Sequence, residues 1–334
     1  MSDSPNGNGN RGVYPDLLEV QAPGYPPGYF VYEPPRRKQN LILPLILFLL
    51  TIASTLAVGA EFARSYSQQE EAFSTEPNIF LTMVQPFRHP ELLRMGMPFS
   101  FTLLTILLAH ELGHFFACRY HHIDVTYPYF LPAPSIFGTF GAFIRIRSPI
   151  PTRRALFDVG LSGPVVGFIF AVPALAYGLA HSLYAPAATS DPNALHFGVP
   201  PIMTLLSMVI RPGINPHKLL LDPVGRAAWI GLFVTALNLI PGWQLDGGHI
   251  LYSVASQHHR RISMLVGAAV LVMGLLCWYG WVLWGVAILI LSWRFSHPPL
   301  RNTWEMLDPR RRMWAVVALL IFILCFTPWP ATNP

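Results

Sequence analysis

The chain has 334 residues, 52% hydrophobic and only 12% charged, against roughly 25% charged in ordinary soluble domains. Charge that sparse cannot coat a soluble fold of this size, so much of the surface is expected to face lipid. The net charge of +5 sits in short Lys/Arg clusters, not in a basic stripe with stacking aromatics, and nucleic acid is set aside as a partner.

Residues 1–40 are polar and rich in Pro, Gly and Asn, with no apolar core before Leu41. They are expected to form a disordered cytoplasmic tail, not a secretory signal peptide. A bilayer-crossing helix takes about 20 mainly apolar residues. Segments 41–60, 98–117, 155–180, 227–243 and 313–329 fit that requirement, with Asp158 near the start of the third. Segment 262–295 is too long for one span, and its Tyr279-Gly280 pair suggests a hairpin of two short helices. Pro201–Ile210 is apolar but short, and reads as a re-entrant or interfacial piece. The fold class is thus an all-α polytopic membrane protein of about seven transmembrane helices. The segmentation is 1–40 tail, 41–97 first span and external loop, 98–255 core, and 256–334 C-terminal spans.

Positive charge near span ends marks the cytoplasmic side. Arg36, Arg37 and Lys38 precede the first span, and Arg145, Arg147, Arg153 and Arg154 follow the second. Arg260 and Arg261 follow the fourth, and Arg294, Arg301 and Arg310 to Arg312 precede the last. All agree with a cytoplasmic N-terminus and an external C-terminus. The external loops, 61–97 and 181–226, are shorter than a typical folded domain. Cys118, Cys277 and Cys325 lack CxxC spacing, so neither a disulfide framework nor a Cys-based zinc site is expected.

The chemistry is concentrated in His110-Glu111-Leu112-Gly113-His114, an HExxH motif at the inner end of the second span. Residues four apart share a helix face, so His110 and His114 can grip one metal ion with Glu111 beside them as a base. Ionisable groups at that depth are costly and mark function. A catalytic zinc takes three protein ligands and keeps one position open. The candidate third ligand is Asp246, in the stretch Asn238 to His249, at the cytoplasmic end of the fourth long span. Taken alone, Asp246-Gly247-Gly248 reads as a turn or helix boundary; beside HExxH on the same side, the ligand reading is favoured.

These residues resemble the site-2 protease family, polytopic intramembrane zinc metalloproteases of peptidase family M50. The family pairs HExxH with an NxxPxxxxDG motif, matched here by Asn238, Pro241, Asp246 and Gly247. Gly160-Leu161-Ser162-Gly163-Pro164 resembles the start of the family's middle core helix, and Pro128 to Ala142 its membrane-associated loop. The resemblance covers roughly 98–255. It implies Zn2+ on His110, His114 and Asp246, Glu111 as catalytic base, and cleavage of membrane-protein substrates through a transmembrane helix. For Asn238 it implies a part in binding substrate or the oxyanion; the residue reads equally well as an interhelical hydrogen bond.

Within 137–147, Ala142, Ile144 and Ile146 alternate with Phe143, Arg145 and Arg147, which predicts a strand or hairpin. That β-rich loop is expected to be membrane-associated, and is either a substrate clamp or an interfacial cap. His249 is expected beside the metal ligands or at an interface, and His121-His122 and His258-His259 as solvated interfacial pairs. Asp158 reads as a helix-start residue, Gly163 and Gly167 as a close-packing pair, and Trp278, Tyr279 and Trp281 as an interface belt. Rival readings are a metal or solute transporter using the same His/Asp cluster, and a non-catalytic membrane binding protein. The compact loops point to a bacterial cytoplasmic membrane.

Overall fold

The computed structural model describes residues 17–19, 30–32, 40–70, 79–184, 196–295, 297, 300 and 306–332. Residues 1–40 and 41–334 form separate compact units. In the first, β1 (Leu17–Glu19) pairs antiparallel with β2 (Phe30–Tyr32). The rest of the expected disordered tail lies outside the described residues.

The second unit is mostly helical. Helix α1 (Ile42–Ser67) runs into the short α2 (Ile79–Arg88) and then α3 (Pro90–Tyr120). Pro90 at the first turn and Glu91 beside it suit the start of α3, where no amide partner is needed and negative charge meets the helix dipole. At the other end His122 adopts φ 55°. The Ile123 amide then bonds back to the Cys118 carbonyl at 2.8 Å and that of His122 to Arg119 at 3.2 Å. This pair of hydrogen bonds stops the helix just past the HExxH turn. The faces of α1 and α3 that meet carry Gly59 and Gly96, where an added Cβ would strike the opposite backbone. A buried Thr55–Ser100 hydroxyl pair at 2.7 Å ties the same helices together.

After α3 the chain forms a hairpin. Strands β3 (Tyr129–Pro132) and β4 (Thr139–Phe143) pair antiparallel, and a Val125–Ile146 bridge continues the ladder. Thr126 and Asp124 accept and donate along the same edge as far as Arg147. Gly138, with φ of 75°, lies in the turn, and Gly141, with φ of 97°, lies inside β4 where the register shifts. Thus the period-2 pattern of 137–147 marks one half of a longer hairpin. Next comes α4 (Arg153–His181), capped by the Thr152 hydroxyl accepting from the Ala155 amide at 3.2 Å. It packs against α3 on one side and against α6 and α7 on the other.

Helix α5 (Pro201–Ile210) is short. Helix α6 (Pro223–Leu239) is buried on all sides and starts at Asp222, whose carboxylate accepts from the Gly225 amide at 2.7 Å. A tight turn through Trp243, at φ 47°, leads to α7 (Asp246–Ala255). Helices α8 (His259–Leu276) and α9 (Gly280–Arg294) are the two arms of the hairpin expected at Tyr279-Gly280, and α10 (Pro309–Cys325) closes the bundle. Among the described residues four helices, α1, α3, α4 and α8, are long and apolar enough to cross a membrane. Helices α6, α9 and α10 are 17, 15 and 17 residues long.

The aromatic belt differs from expectation. Tyr279 is exposed, but Trp281 is fully buried and its indole N–H donates to the Pro328 carbonyl at 2.9 Å. An indole needs a partner when buried, and the C-terminal segment supplies it.

Candidate metal centre

Helix α3 presents His110, Glu111 and His114 inward, all at most 6% exposed. Asp246, the first residue of α7, brings its Oδ2 to 3.2 Å from His110 Nε2 and 3.3 Å from His114 Nε2. The two Nε2 atoms are 3.1 Å apart. Asp246 thus stands at a helix boundary and within reach of both histidines. A helix start aims the carboxylate back across the end of α6 toward α3.

These spacings fit a zinc ion. With bonds of about 2.0–2.1 Å to nitrogen and oxygen, a tetrahedral site sets neighbouring ligand atoms about 3.3 Å apart. The hydrogen bonding points the same way. His114 Nδ1 donates to the Val159 carbonyl at 2.7 Å, so Nε2 is the ring atom that faces His110 Nε2 and the Asp246 carboxylate and would ligate a metal. Three potential ligand atoms converging in a buried space can hold a metal ion. Among the described residues this trio is the group of His, Cys, Asp and Glu side chains able to hold a metal.

The space is carved by glycine. A Cβ on Gly163 would stand in the His114 ring, 2.5 Å from Cδ2 and Cε1. One on Gly167 would lie 3.1 Å from His110 Nδ1. Gly163 and Gly167 are indeed packing residues, but what they pack against is the pair of candidate ligands. Gly160 is turned to the Asp246 carbonyl and the His249 side chain in the same way. Sequence reasoning missed this role; the spacing 160, 163, 167 along one helical face was the available signal.

Glu111 stands beside the trio, with the Ile144 backbone amide, just past β4, directed at its carboxylate. Asn238, on the last turn of α6, places Nδ2 3.2 Å from His110 Nε2, so its amide abuts the site directly. His249 lies outside the trio, with Nδ1 2.9 Å from His297 Nε2. Two expectations of solvated histidines are corrected. His259 is buried, and its Nε2–H donates to the Trp243 carbonyl at 3.0 Å. His121 donates from Nε2 to the Asp158 carboxylate at 2.8 Å. Asp158 is an ion-pair partner, held at 2.6 Å by Arg311 on α10, and not a helix-start residue. The cysteines are unpaired, two of them buried.

The model of the family described as Peptidase family M50 matches residues 98–278. Among curated proteins, the chain is 28% identical to "Probable zinc metalloprotease EGY1, chloroplastic" of Arabidopsis thaliana, across 98% of this chain and 59% of that protein. It is 28% identical to the protein of the same name in Oryza sativa subsp. japonica, over 89% of this chain and 52% of the relative. To "Probable zinc metalloprotease EGY2, chloroplastic" of Arabidopsis thaliana it is 28% identical, over 76% and 46%. The chain thus spans about half the length of these relatives. With more than half of the chain matched and the HExxH and Asn238–Asp246 segments both inside the match, the protein belongs to peptidase family M50.

Proposed function

We propose that the protein is an intramembrane zinc metalloprotease of the site-2 type that cleaves transmembrane segments of membrane-bound substrates. The observation that carries this reading is the convergence of His110 Nε2, His114 Nε2 and Asp246 Oδ2 with Glu111 at their side. Zinc held by those three residues supplies Lewis acidity, polarising the scissile carbonyl and making water a better nucleophile. Glu111 takes the proton of the attacking water and passes it to the leaving amine. The closeness of the Asn238 amide to His110 Nε2, 3.2 Å, supports a role in donating to the developing oxyanion.

A helical substrate hides its amides, so it must unwind locally before it can reach the site. The hairpin supports a way to hold the unwound strand. Arg145 and Arg147 bond through their backbones to Thr126 and Asp124, so Ile144, just before Arg145 and out of phase with both, turns its amide the other way, toward Glu111. An unwound segment can add along that edge. Ile144→Pro removes the amide and is expected to lower cleavage at least tenfold with zinc content unchanged. Normal cleavage by that variant would leave the hairpin as a cap only.

The apolar helices α6, α8 and α9, with the uncharged run 313–329, support a seven-span path with the hairpin associated with the membrane. The Arg clusters support placing the N-terminus and the zinc site on the cytoplasmic side. The compact loops support a bacterial cytoplasmic membrane, and the segmentation at 40, 97 and 255 is retained with this reading. The direct test is cleavage of a model transmembrane substrate by the purified full chain. Activity should vanish on metal chelation and return with about one zinc per chain. Cleavage that survives complete removal of the metal would sink the assignment.

A further inference from the structure

The strongest polar contact of the C-terminal helix reaches toward the metal site. Arg311 donates from Nε to Asp158 Oδ1 at 2.8 Å and from Nη2 to Asp158 Oδ2 at 2.6 Å. This is a two-pronged pairing that fixes direction as well as distance. Asp308 caps α10, accepting from the Arg311 amide at 3.0 Å, and its carboxylate also takes the third guanidinium nitrogen. That backbone bond and the guanidinium hold Asp308 below the usual carboxylate range. Arg154 stands 4.0 Å from the same carboxylate, and His121 approaches Asp158 from the end of α3. So the groups facing Asp158 come from α3 and α10, and they grip α4 at one point.

The next residue is Val159. Its carbonyl accepts from His114 Nδ1 at 2.7 Å and from the Ser162 hydroxyl at 3.0 Å. That carbonyl sets the tautomer and direction of the His114 ring. It is only as well placed as the roll of α4 about its axis. A roll of about 10° moves backbone atoms, at a radius of about 2.3 Å, by roughly 0.4 Å, close to the roughly 0.5 Å within which a site must be held. On the face toward the site α4 carries Gly160, Gly163 and Gly167, so on that side no side chain resists a roll, while Leu156 and Phe157 are buried elsewhere on the helix. Glycines give the ligands room but no side-chain grip.

We propose that Arg311 is a positioning residue for the metal site. Through Asp158 it locks the roll of α4, and so the Val159 carbonyl that orients His114. The inference rests on the metalloprotease reading of the trio. It adds a part of the chain that lies beyond the 98–278 family match. Arg310 and Arg312, on either side, are exposed and serve as controls of equal charge.

The test is zinc affinity of the detergent-purified full chain, by competition with a chelator of known strength, read beside thermal unfolding. Loss of groups that orient a metal ligand typically costs 10–100-fold in metal affinity. Arg311→Gln and Asp158→Asn should each weaken zinc binding about tenfold, and the double variant no further, since both break one linkage. Arg311→Lys keeps the charge but not the fork, and should weaken zinc nearly as much. Arg310→Gln should bind as wild type. Ile321→Ala, a buried α10 change, should lower the melting temperature and leave zinc affinity alone. If Arg311→Gln melts early like Ile321→Ala yet holds zinc within twofold of wild type, Arg311 is only a strut and the proposal falls. Wild type that binds no zinc would overturn the metal site itself, a separate result.

Discussion

Glu111→Gln is expected to keep zinc and lose turnover. Glutamine preserves the shape of the side chain and an oxygen for the Ile144 amide, and Glu111 is not among the three atoms that converge on the metal position. What it removes is the base. General acid–base catalysis contributes typically 10²–10⁴-fold, about 3–5 kcal/mol of barrier. Because Glu111 is asked both to take a proton from water and to return it to the amine, the loss should sit at the upper end. It should appear in kcat and not in KM, since the amide contacts that hold substrate remain. The measurement is metal content by elemental analysis beside cleavage of a model transmembrane substrate. The same variant separates the rival readings. A permease with a His/Asp transit site does not need a base between its ligands and should still move its ion. A binding protein should retain whatever it binds. If wild type and Glu111→Gln cut at the same rate, the proton-transfer role is lost even with the zinc site intact.

The meeting of His110, Glu111, His114 and Asp246 was legible because it rests on two short-range facts. Helical periodicity puts positions 110 and 114 on one face, and charge bias puts the ends of the second and fourth long apolar segments on one side. The hydropathy pattern likewise marked every long helix, and the hairpin between α8 and α9 announced itself in Tyr279-Gly280. Hidden from the sequence were pairings across large separations. Arg311 and Asp158 are 153 positions apart, and Asp158 looked like a helix-start residue because nothing near it in sequence carries its partner. His121, His259 and Trp281 misled for the same reason. Each is a polar or amphipathic group at a segment end, where solvent is the default expectation, and each is satisfied by a partner from another element. The glycines of α4 were read as generic helix packing because spacing reveals a flat face but not what lies against it.

That flat face leads to the second large effect, Gly163→Ala. The new methyl would stand 2.5 Å from His114 Cδ2 and Cε1 and closer still to Nε2, well inside van der Waals contact. One of two things must move. The ring is tied through Nδ1 to the Val159 carbonyl on the same helix as Gly163, so swinging it aside breaks that bond and takes Nε2 off the shared position with His110 and Asp246. Withdrawing α4 is no easier, since it is in contact with α3 at Gly113, where an added Cβ would lie 2.6 Å from the Ser162 carbonyl, and with α6 and α7 behind it. Overpacking of this kind costs typically 1–3 kcal/mol of stability. The loss of zinc should be larger than that figure suggests, because strain and ligand geometry fall on the same ring. Purified Gly163→Ala is expected to carry less than about a tenth of the wild-type zinc, given the 10–100-fold sensitivity of metal sites to ligand orientation. Gly167→Ala, whose Cβ would meet His110 Nδ1 at 3.1 Å, asks for a shift of only a few tenths of an ångström and should fall between the two. A graded loss across wild type, Gly167→Ala and Gly163→Ala would tie metal content to the room left by α4. Full zinc in Gly163→Ala would mean that the His114 ring does not face α4 in the loaded protein, and the placement of the ligand trio would have to be redrawn.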